Sequence, residues 1–178
     1  MSRYAIGLDY GTNSCRSLLL DLDTGEELGS FVFPYPSGKL GILTDPSDPH
    51  VARQNPQDYL DGIVATVTGA LVQAKENRFG FDPREVVGIG VDTTGSTPLP
   101  VDEEGTPLAL KPEFADNLNA HVWLWKDHTA FEEAASITAL AAEMRPHYLA
   151  KCGGIYSSEW WWSKIWRCRK IDKKGFAG

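Results

Sequence analysis

The amino-terminal stretch constrains the fold more than any other part of the chain. An apolar run over residues 4–8 leads into a polar segment, Asp9–Arg16, and a second apolar run over residues 17–20 follows it. The polar segment contains Gly11 and Asn13, residue types that form tight turns and tolerate positive φ angles. This pattern predicts a β-hairpin whose tip carries an acid, hydroxyls, an amide and an arginine.

The composition of this tip suits the binding of an anion such as a phosphate. A tight turn directs successive backbone N–H groups toward one point, so we expect an exposed amide at Gly11 to act with the hydroxyls of Thr12 and Ser14. Asp9 would face the same point, where a carboxylate repels a phosphate unless a cation lies between them. Asp9 therefore predicts Mg²⁺, bound through water. An ordinary solvent-exposed turn is the alternative.

Composition limits the classes of protein to which the chain can belong. Its 178 residues, 42% of them hydrophobic, can form one core with at most a small appendage. The net charge of -7 argues against a nucleic-acid-binding surface, which needs clustered Lys and Arg. Three cysteines without paired or metal-ligand spacing indicate free thiols in a reducing compartment. No run approaches the roughly 18 apolar residues of a membrane helix, and we expect a cytoplasmic protein.

Turn signals and apolar patterns predict the next elements. A turn at residues 23–25 leads to a third antiparallel strand, and residues 35–55 predict a long ordered loop. The pair Asn55–Pro56 is typical of a helix start. The all-apolar run over residues 86–91 predicts a parallel strand that is buried on both faces.

The second half of the chain predicts one more strand and two helices. Residues 121–125 form an apolar strand pattern, and Asp127 is expected to cap a helix from about residue 128 to 143. A second helix, over residues 157–171, contains a run of tryptophans at residues 160–162. In so acidic a chain, we expect these rings to pack in the core or at a domain interface.

Polar residues follow two of the predicted strands. Hydroxyls and a close backbone approach at glycine suit a polyol ligand, and Trp125 supplies an aromatic wall. The alternatives are a plain exit from the strand at residues 92–97, and a Trp125 that fills the core. The residues expected to contact a substrate are Thr94, Gly95, Ser96, Trp125, Lys126 and Asp127.

The order of the elements is that of the ribonuclease-H-like unit of actin-like ATPases, an α/β fold. The expected sheet is mixed, with three antiparallel strands followed by parallel strands and with helices on both faces. Ligands of such sheets bind at the carboxyl ends of the parallel strands. We therefore expect Asp9, residues 92–96 and residues 125–127 to converge on one edge of the sheet.

The motif Asp9-x-Gly-Thr-x-Ser-x-Arg16 resembles the first phosphate motif of the sugar-kinase, heat-shock-protein-70 and actin superfamily, and more narrowly that of the FGGY carbohydrate kinases. It is not a Walker loop, because Gly-x4-Gly-Lys-Ser/Thr occurs nowhere in the chain. Four later segments look like the bacterial L-ribulokinase branch of that family: residues 88–98, 110–115, 124–130 and 153–160.

The resemblance implies ATP-dependent phosphorylation of the 5-hydroxyl of L-ribulose in arabinose catabolism, with ATP and Mg²⁺ as cofactors. We also expect a homo-oligomer, because interdomain surface would be exposed without the second domain. The resemblance places Ser96 and Trp125 in the sugar pocket and Asp9 near the metal. The residues expected at the ATP phosphates are Gly11, Thr12, Asn13, Ser14 and Arg16.

Family members are much longer than this chain. Residues 1–178 are expected to form the amino-terminal actin-like domain, without the second domain that supplies most of the ATP site and the aspartate that acts as general base. No catalytic residue is assigned here, and we expect the chain alone to fold without kinase turnover. The alternatives are a kinase for another ketopentose or polyol, a non-catalytic sugar-sensing module, and a nuclease in which Asp9 and Asp92 hold two metals about 4 Å apart.

Overall fold

The computed structural model describes residues 3–173 and divides the chain into two compact units. The first unit comprises Met1–Gly41 and Gln57–Thr94, and the second comprises Ile42–Pro56 and Gly95–Gly178. The strands in chain order are β1 (Tyr4–Tyr10), β2 (Ser14–Asp21), β3 (Glu27–Pro34), β4 (Leu43–Asp45), β5 (Asp48–Gln54), β6 (Val86–Thr93) and β7 (Val122–Trp123). The α-helices are α1 (Pro56–Asn77), α2 (Phe131–Met144), α3 (Pro146–Lys151) and α4 (Trp161–Ile171).

The first unit is a four-stranded mixed sheet with the order β3-β2-β1-β6. β1 and β2 form the predicted hairpin, β3 adds the predicted third antiparallel strand, and β6 runs parallel to β1. Gly25 has a φ of 74°, which the predicted turn between β2 and β3 requires. The predicted strand, helix and parallel strand after the hairpin are therefore confirmed.

Helix α1 packs against one face of this sheet. Tyr4, Ile6 and Leu8 of β1 form a buried cluster with Ala70 and Ala74 of α1. Alternate residues of a strand share a face, so these three side chains all point to the helix. The small alanines let the helix backbone approach the sheet closely, and the predicted helical apolar face is confirmed.

The prediction that the strand over residues 86–91 is buried on both faces is wrong. β6 is the last strand in the order of its sheet, and Val87, Ile89 and Val91 are 63%, 56% and 61% exposed. An all-apolar run specifies a strand suited to burial, but it does not specify which elements lie over it. In the described residues, α1 packs over the neighbouring strands and leaves β6 exposed.

The second unit contains a separate three-stranded sheet with the order β4-β5-β7. The prediction of a loop over residues 35–55 is wrong for its second half, because β4 and β5 pair there as an antiparallel hairpin. The strand predicted over residues 121–125 is also corrected: only Val122–Trp123 is a strand, and it pairs antiparallel with β5. Local sequence patterns do not identify the pairing partner of a strand, which explains both errors.

The helices of the second unit differ from the predicted ones mainly at their starts. α2 begins at Phe131 with Ala130 at its N-cap, so the prediction that Asp127 caps a helix from residue 128 is wrong. α4 begins at Trp161 rather than at residue 157, and α3 was not predicted. Trp161 and Trp162 are largely exposed rather than packed in a core. Among residues 3–173, no helix is long and apolar enough to cross a bilayer.

Glycine 29 of β3 lies where α1 comes closest to the sheet. A Cβ atom at this position would lie 2.3 Å from the carbonyl oxygen of Ala70, whereas a Cβ at Gly7 of β1 would have no heavy atom within 4 Å. We expect Gly29→Ala to lower the free energy of unfolding by about 1–3 kcal/mol, because the helix must shift. Gly7→Ala, in the same sheet, is the matched control and should be close to neutral. Urea denaturation compares the two, and equal effects would contradict the close approach.

Candidate functional site

The tip of the β1–β2 hairpin brings charged groups together at the carboxyl end of β1. Asp9 pairs with Arg16 across the hairpin and with Asp92 on the parallel strand β6. The Arg16 Nε atom lies 3.3 Å from Asp9 Oδ2, and both side chains are about half exposed. Two carboxylates and a guanidinium thus share one end of the sheet of the first unit.

The backbone amide of Gly11 is not exposed to an anion, so this part of the prediction is wrong. Its N–H donates to the carbonyl of Ser14 at 2.9 Å and closes the hairpin turn. Gly11 has no positive φ, and a Cβ atom here would lie 3.3 Å from the backbone carbonyl oxygen of Ser14. Anion binding at the tip would therefore depend on the side chains of Thr12, Ser14 and Arg16.

Asn13 stabilises the hairpin tip. Its side-chain Nδ2 donates to the backbone carbonyl of Leu40 at 2.6 Å. Its backbone carbonyl accepts from the backbone N–H of Tyr35 at 3.0 Å. Both partners lie in the segment that follows β3 in the first unit. The Asn13 side chain thus fixes the shape of the turn that presents Thr12 and Ser14.

The donor atoms beside the hairpin fit a magnesium ion held largely by water. Carboxylate oxygens are the hard ligands that Mg²⁺ prefers, and Asp9 and Asp92 supply them from paired positions. Within residues 3–173, no group of three or more His, Cys, Asp or Glu residues is arranged to hold a metal ion. A metal bound here would take most of its ligands from water and from substrate phosphates.

The turn after β6 presents an unusual backbone at Ser96. Ser96 has a φ of 53°, a left-handed conformation that is strained for a residue other than glycine. The neighbouring Gly95 is exposed, and a Cβ atom there would have nothing within 4 Å. The backbone at Gly95 is therefore open to the close approach of a ligand.

A buried lysine holds the backbone of this turn. Lys164 of α4 has a fully buried side chain, and its Nζ donates to the carbonyls of Ser96 at 2.8 Å, Leu124 at 2.7 Å and Trp125 at 3.2 Å. Sequence reasoning did not find this residue. A single cation between Ser163 and Ile165, in a segment rich in tryptophan, was the available signal.

Trp125 and Asp127 have different surroundings in the second unit. Trp125 is 39% exposed, so its ring does not fill the core, and Lys126 is partly buried. Asp127 is fully buried, where its carboxylate accepts from the N–H groups of Ala52 at 2.8 Å and Thr129 at 3.1 Å. Its carboxylate oxygens are thus engaged within the unit.

Arg53 of β5 is the buried counter-ion of Asp127, and it too was missed from the sequence. Its guanidinium forms a salt bridge with Asp127 and lies 3.5 Å from the centroid of the Trp123 ring. Arginine suits such a position because its planar group bonds a carboxylate and stacks on an aromatic ring. This arrangement fixes the segment that begins with Trp125.

Sequence comparison relates the chain to sugar kinases. It is 44% identical over 180 residues to a ribulokinase of Vibrio parahaemolyticus, an alignment that covers 98% of this chain and 31% of that protein. A ribulokinase of Geobacillus thermodenitrificans is 41% identical over 169 residues, which cover 93% of this chain and 29% of that protein. The chain is related to the FGGY carbohydrate kinases and resembles the amino-terminal part of the ribulokinases. It spans about 30% of the length of these curated relatives.

Comparison with solved structures identifies the fold of the chain. The crystal structure of a xylulose kinase from Brucella ovis matches with a TM-score of 0.72 at 19% identity, over 98% of this chain and 31% of that protein. The expected fold, the actin-like α/β fold of FGGY sugar kinases, is thereby confirmed. No family model matches the chain. The convergence of Asp9, residues 92–96 and residues 125–127 on one edge stays a prediction.

The salt bridge between Arg53 and Asp127 allows a test of the second unit. We expect Asp127→Ala to lower the free energy of unfolding by about 3–5 kcal/mol, because it leaves the buried Arg53 charge without its counter-ion. The control is Asp23→Ala, which removes the exposed ion pair with Arg3 and should cost less than about 1 kcal/mol. Both values follow from thermal or urea denaturation, and a loss for Asp127→Ala no larger than that of the control would contradict a structural role.

Proposed function

We propose that the chain is the amino-terminal, sugar-binding part of an ATP-dependent kinase that phosphorylates the 5-hydroxyl of L-ribulose. The observation that carries the proposal is the similarity to ribulokinases, 37–44% identical across 85–99% of the chain. The four segments that resemble this branch in sequence lie within the aligned part. The proposed role belongs to arabinose catabolism in the cytoplasm, with a homo-oligomer as the expected assembly.

The proposed sugar site consists of the turn after β6 and the segment after β7. Hydroxyls at Thr94 and Ser96 would bond sugar hydroxyls, while the open backbone at Gly95 admits the sugar to short range. The partly exposed ring of Trp125 would lie against the carbon skeleton of the sugar. Lys126 would supply a charge beside it, whereas Asp127 acts through its salt bridge with Arg53.

The proposed phosphate site is the hairpin tip. Arg16, with the hydroxyls of Thr12 and Ser14, would bind phosphate oxygens of ATP, and Gly11 and Asn13 would keep the turn in shape. Asp9 would hold the hydrated Mg²⁺, which neutralises phosphate charge when it is bound. Phosphoryl transfer depends on positioning and charge neutralisation in a dry cleft. This proposal assigns no general base within residues 1–178, so the chain alone should bind without turnover.

Two other functions have weaker support. A nuclease would use Asp9 and Asp92, which are indeed paired, but the described residues offer no cluster of three metal-binding side chains, and the net charge is -7. A kinase for another ketopentose or a polyol would use the same site with different hydroxyl contacts. The following assay separates a kinase for L-ribulose from a kinase for another sugar or a polyol.

The test measures ATP consumption by the product of the intact gene with L-ribulose, D-ribulose, D-xylulose and glycerol. We expect turnover with L-ribulose, and we expect Asp9→Asn to lower kcat by about 100-fold or more, because phosphate charge is then poorly neutralised. Asp23→Asn, which changes an exposed acid in the turn between β2 and β3, is the matched control and should leave kcat unchanged.

Turnover of another sugar in preference to L-ribulose would overturn the pentose assignment. The absence of ATP consumption with all four substrates would overturn the kinase proposal and favour a sugar-sensing role. In parallel, the 178-residue chain should give no turnover, and rates comparable to those of the intact gene product would contradict the need for a second domain.

A further inference from the structure

Lys164 is buried without a carboxylate in contact. Its side chain is fully inaccessible, and the salt bridges found among residues 3–173 do not include it. A buried cation without compensation is strongly destabilising, so its polar atoms must be satisfied in another way. The compensation consists of three backbone carbonyls within 3.2 Å of Nζ.

The number of acceptors matches the chemistry of an ammonium group. A protonated lysine has three N–H donors and no acceptor, and Ser96, Leu124 and Trp125 supply three carbonyl oxygens. Two of these carbonyls belong to the segment after β7 and one belongs to the turn after β6. A methionine or leucine of similar size would fill the same volume but could not donate a hydrogen bond to either segment.

The carbonyls that Lys164 binds belong to the proposed sugar-contacting residues. Ser96 has the left-handed backbone with a φ of 53°, and such a conformation persists only where the surroundings enforce it. Trp125 follows directly after the buried Leu124. The hydrogen bonds therefore fix the spacing between a hydroxyl and an aromatic ring from two separate stretches of chain.

We infer that Lys164 is a positioning residue of the sugar site: its ammonium group ties the Ser96 turn to the Leu124–Trp125 segment and sets the distance between Ser96 and Trp125. The inference rests on the proposed function for its ligand, a ketopentose. It does not make Lys164 a catalytic residue, because its three donors are engaged with the backbone. Sugar affinity should depend on this tie, and ATP affinity should not.

The hydrogen bonds between Lys164 and the two backbone segments depend on pH, because they depend on the protonation state of the lysine. Burial and, to a smaller extent, the charge of Arg53 on β5 lower the pKa of Lys164 from 10.5 to about 7, and the charge of Glu159 opposes both. Above this pH the neutral amine has two donors for three carbonyls, so one bond is lost. The bond to Trp125 is the longest of the three.

The contribution of Lys164 to the free energy of unfolding changes with pH in the opposite direction to its hydrogen bonding. Because the pKa of Lys164 is lower in the folded chain, the unfolded chain binds more protons between about pH 7 and 10.5. Lys164 therefore makes the free energy of unfolding rise with pH across this window, while its hold on Trp125 weakens. A role in positioning and a role in stability thus predict pH profiles of opposite sign.

The first experiment uses Lys164→Met and follows hydrogen exchange without any sugar. The reporters are the amides of Trp123 and Asp127, which donate to the carbonyls of Pro98 and Leu124. We expect their exchange to accelerate about 10-fold, because the carbonyls of Leu124 and of Ser96, two residues before Pro98, lose their buried donor and the backbone around them is held less firmly. Amides of the β1–β2 hairpin should be unaffected.

Lys170→Met is the matched control on the same helix. It removes the 2.5 Å ion pair between Lys170 and Glu133, and so perturbs α4 without touching Ser96 or Trp125. Faster exchange of the reporters in Lys164→Met but not in Lys170→Met supports the tie. Equal acceleration in both variants, or none in Lys164→Met, would overturn it.

The second experiment measures the dissociation constant for L-ribulose from pH 6 to 9 by calorimetry, with the intact gene product. In the unsubstituted protein we expect affinity to fall about 10-fold as the pH rises through 7, since small misplacements of contact groups are costly. Lys164→Met should bind weakly at every pH without this step, and Lys170→Met should retain it.

The outcomes also separate this inference from the proposed function. If no sugar of the panel binds to the unsubstituted protein, the proposed function fails, and with it the role of Lys164 in sugar binding, whatever the exchange data show. If L-ribulose binds and Lys164→Met loosens the reporters while affinity and its pH dependence stay unchanged, the proposed function survives and the positioning role is overturned.

Discussion

Buried charge that is fully satisfied organises the second unit. Arg53 and Asp127 neutralise each other beneath Trp123, and Lys164 is satisfied by three carbonyls. A buried charge is tolerated only with such partners, so each one restricts the backbone around it to a single arrangement. The segment from Leu124 to Asp127 takes part in both interactions, and they restrict its motion. A site for a small ligand benefits from that rigidity, because fixed contact groups need no ordering when the ligand binds.

The first unit depends on close packing rather than on buried charge. Gly29 lets α1 approach β3, and Ala70 and Ala74 line the helix face against the sheet. The sheet in turn places Asp9 beside Asp92 and Arg16 by strand register. One unit therefore offers acidic and hydroxyl groups at a strand end, and the other offers an aromatic ring and a strained turn. This division suits a protein that handles a charged phosphate and a neutral sugar, as the proposed kinase would.

Some features were predictable because they depend on neighbours in sequence. The hairpin at Gly11, the start of α1 at Asn55–Pro56 and the parallel strand after it all have local signals, namely turn residues, a cap and an apolar run. The resemblance of the Asp9–Arg16 motif to the FGGY kinases also lies in local residues, and the comparisons agree with it. The exposure of β6 was not predictable, because an apolar run does not show which elements cover it.

The sequence by itself determined the hairpin, the mixed sheet of the first unit and the similarity to sugar kinases. The hairpin and the kinase-like motif depend on residues close together in the chain, and the parallel pairing of β6 with β1 follows from the order strand, helix, strand. Only the tertiary structure decided that β5 pairs with β7, that Asp127 faces Arg53 instead of capping α2, and that Lys164 reaches Ser96. The partners in these contacts lie 68 to 74 positions apart in the chain. Contacts at that separation depend on how the whole unit folds, and no local pattern of residue types encodes them.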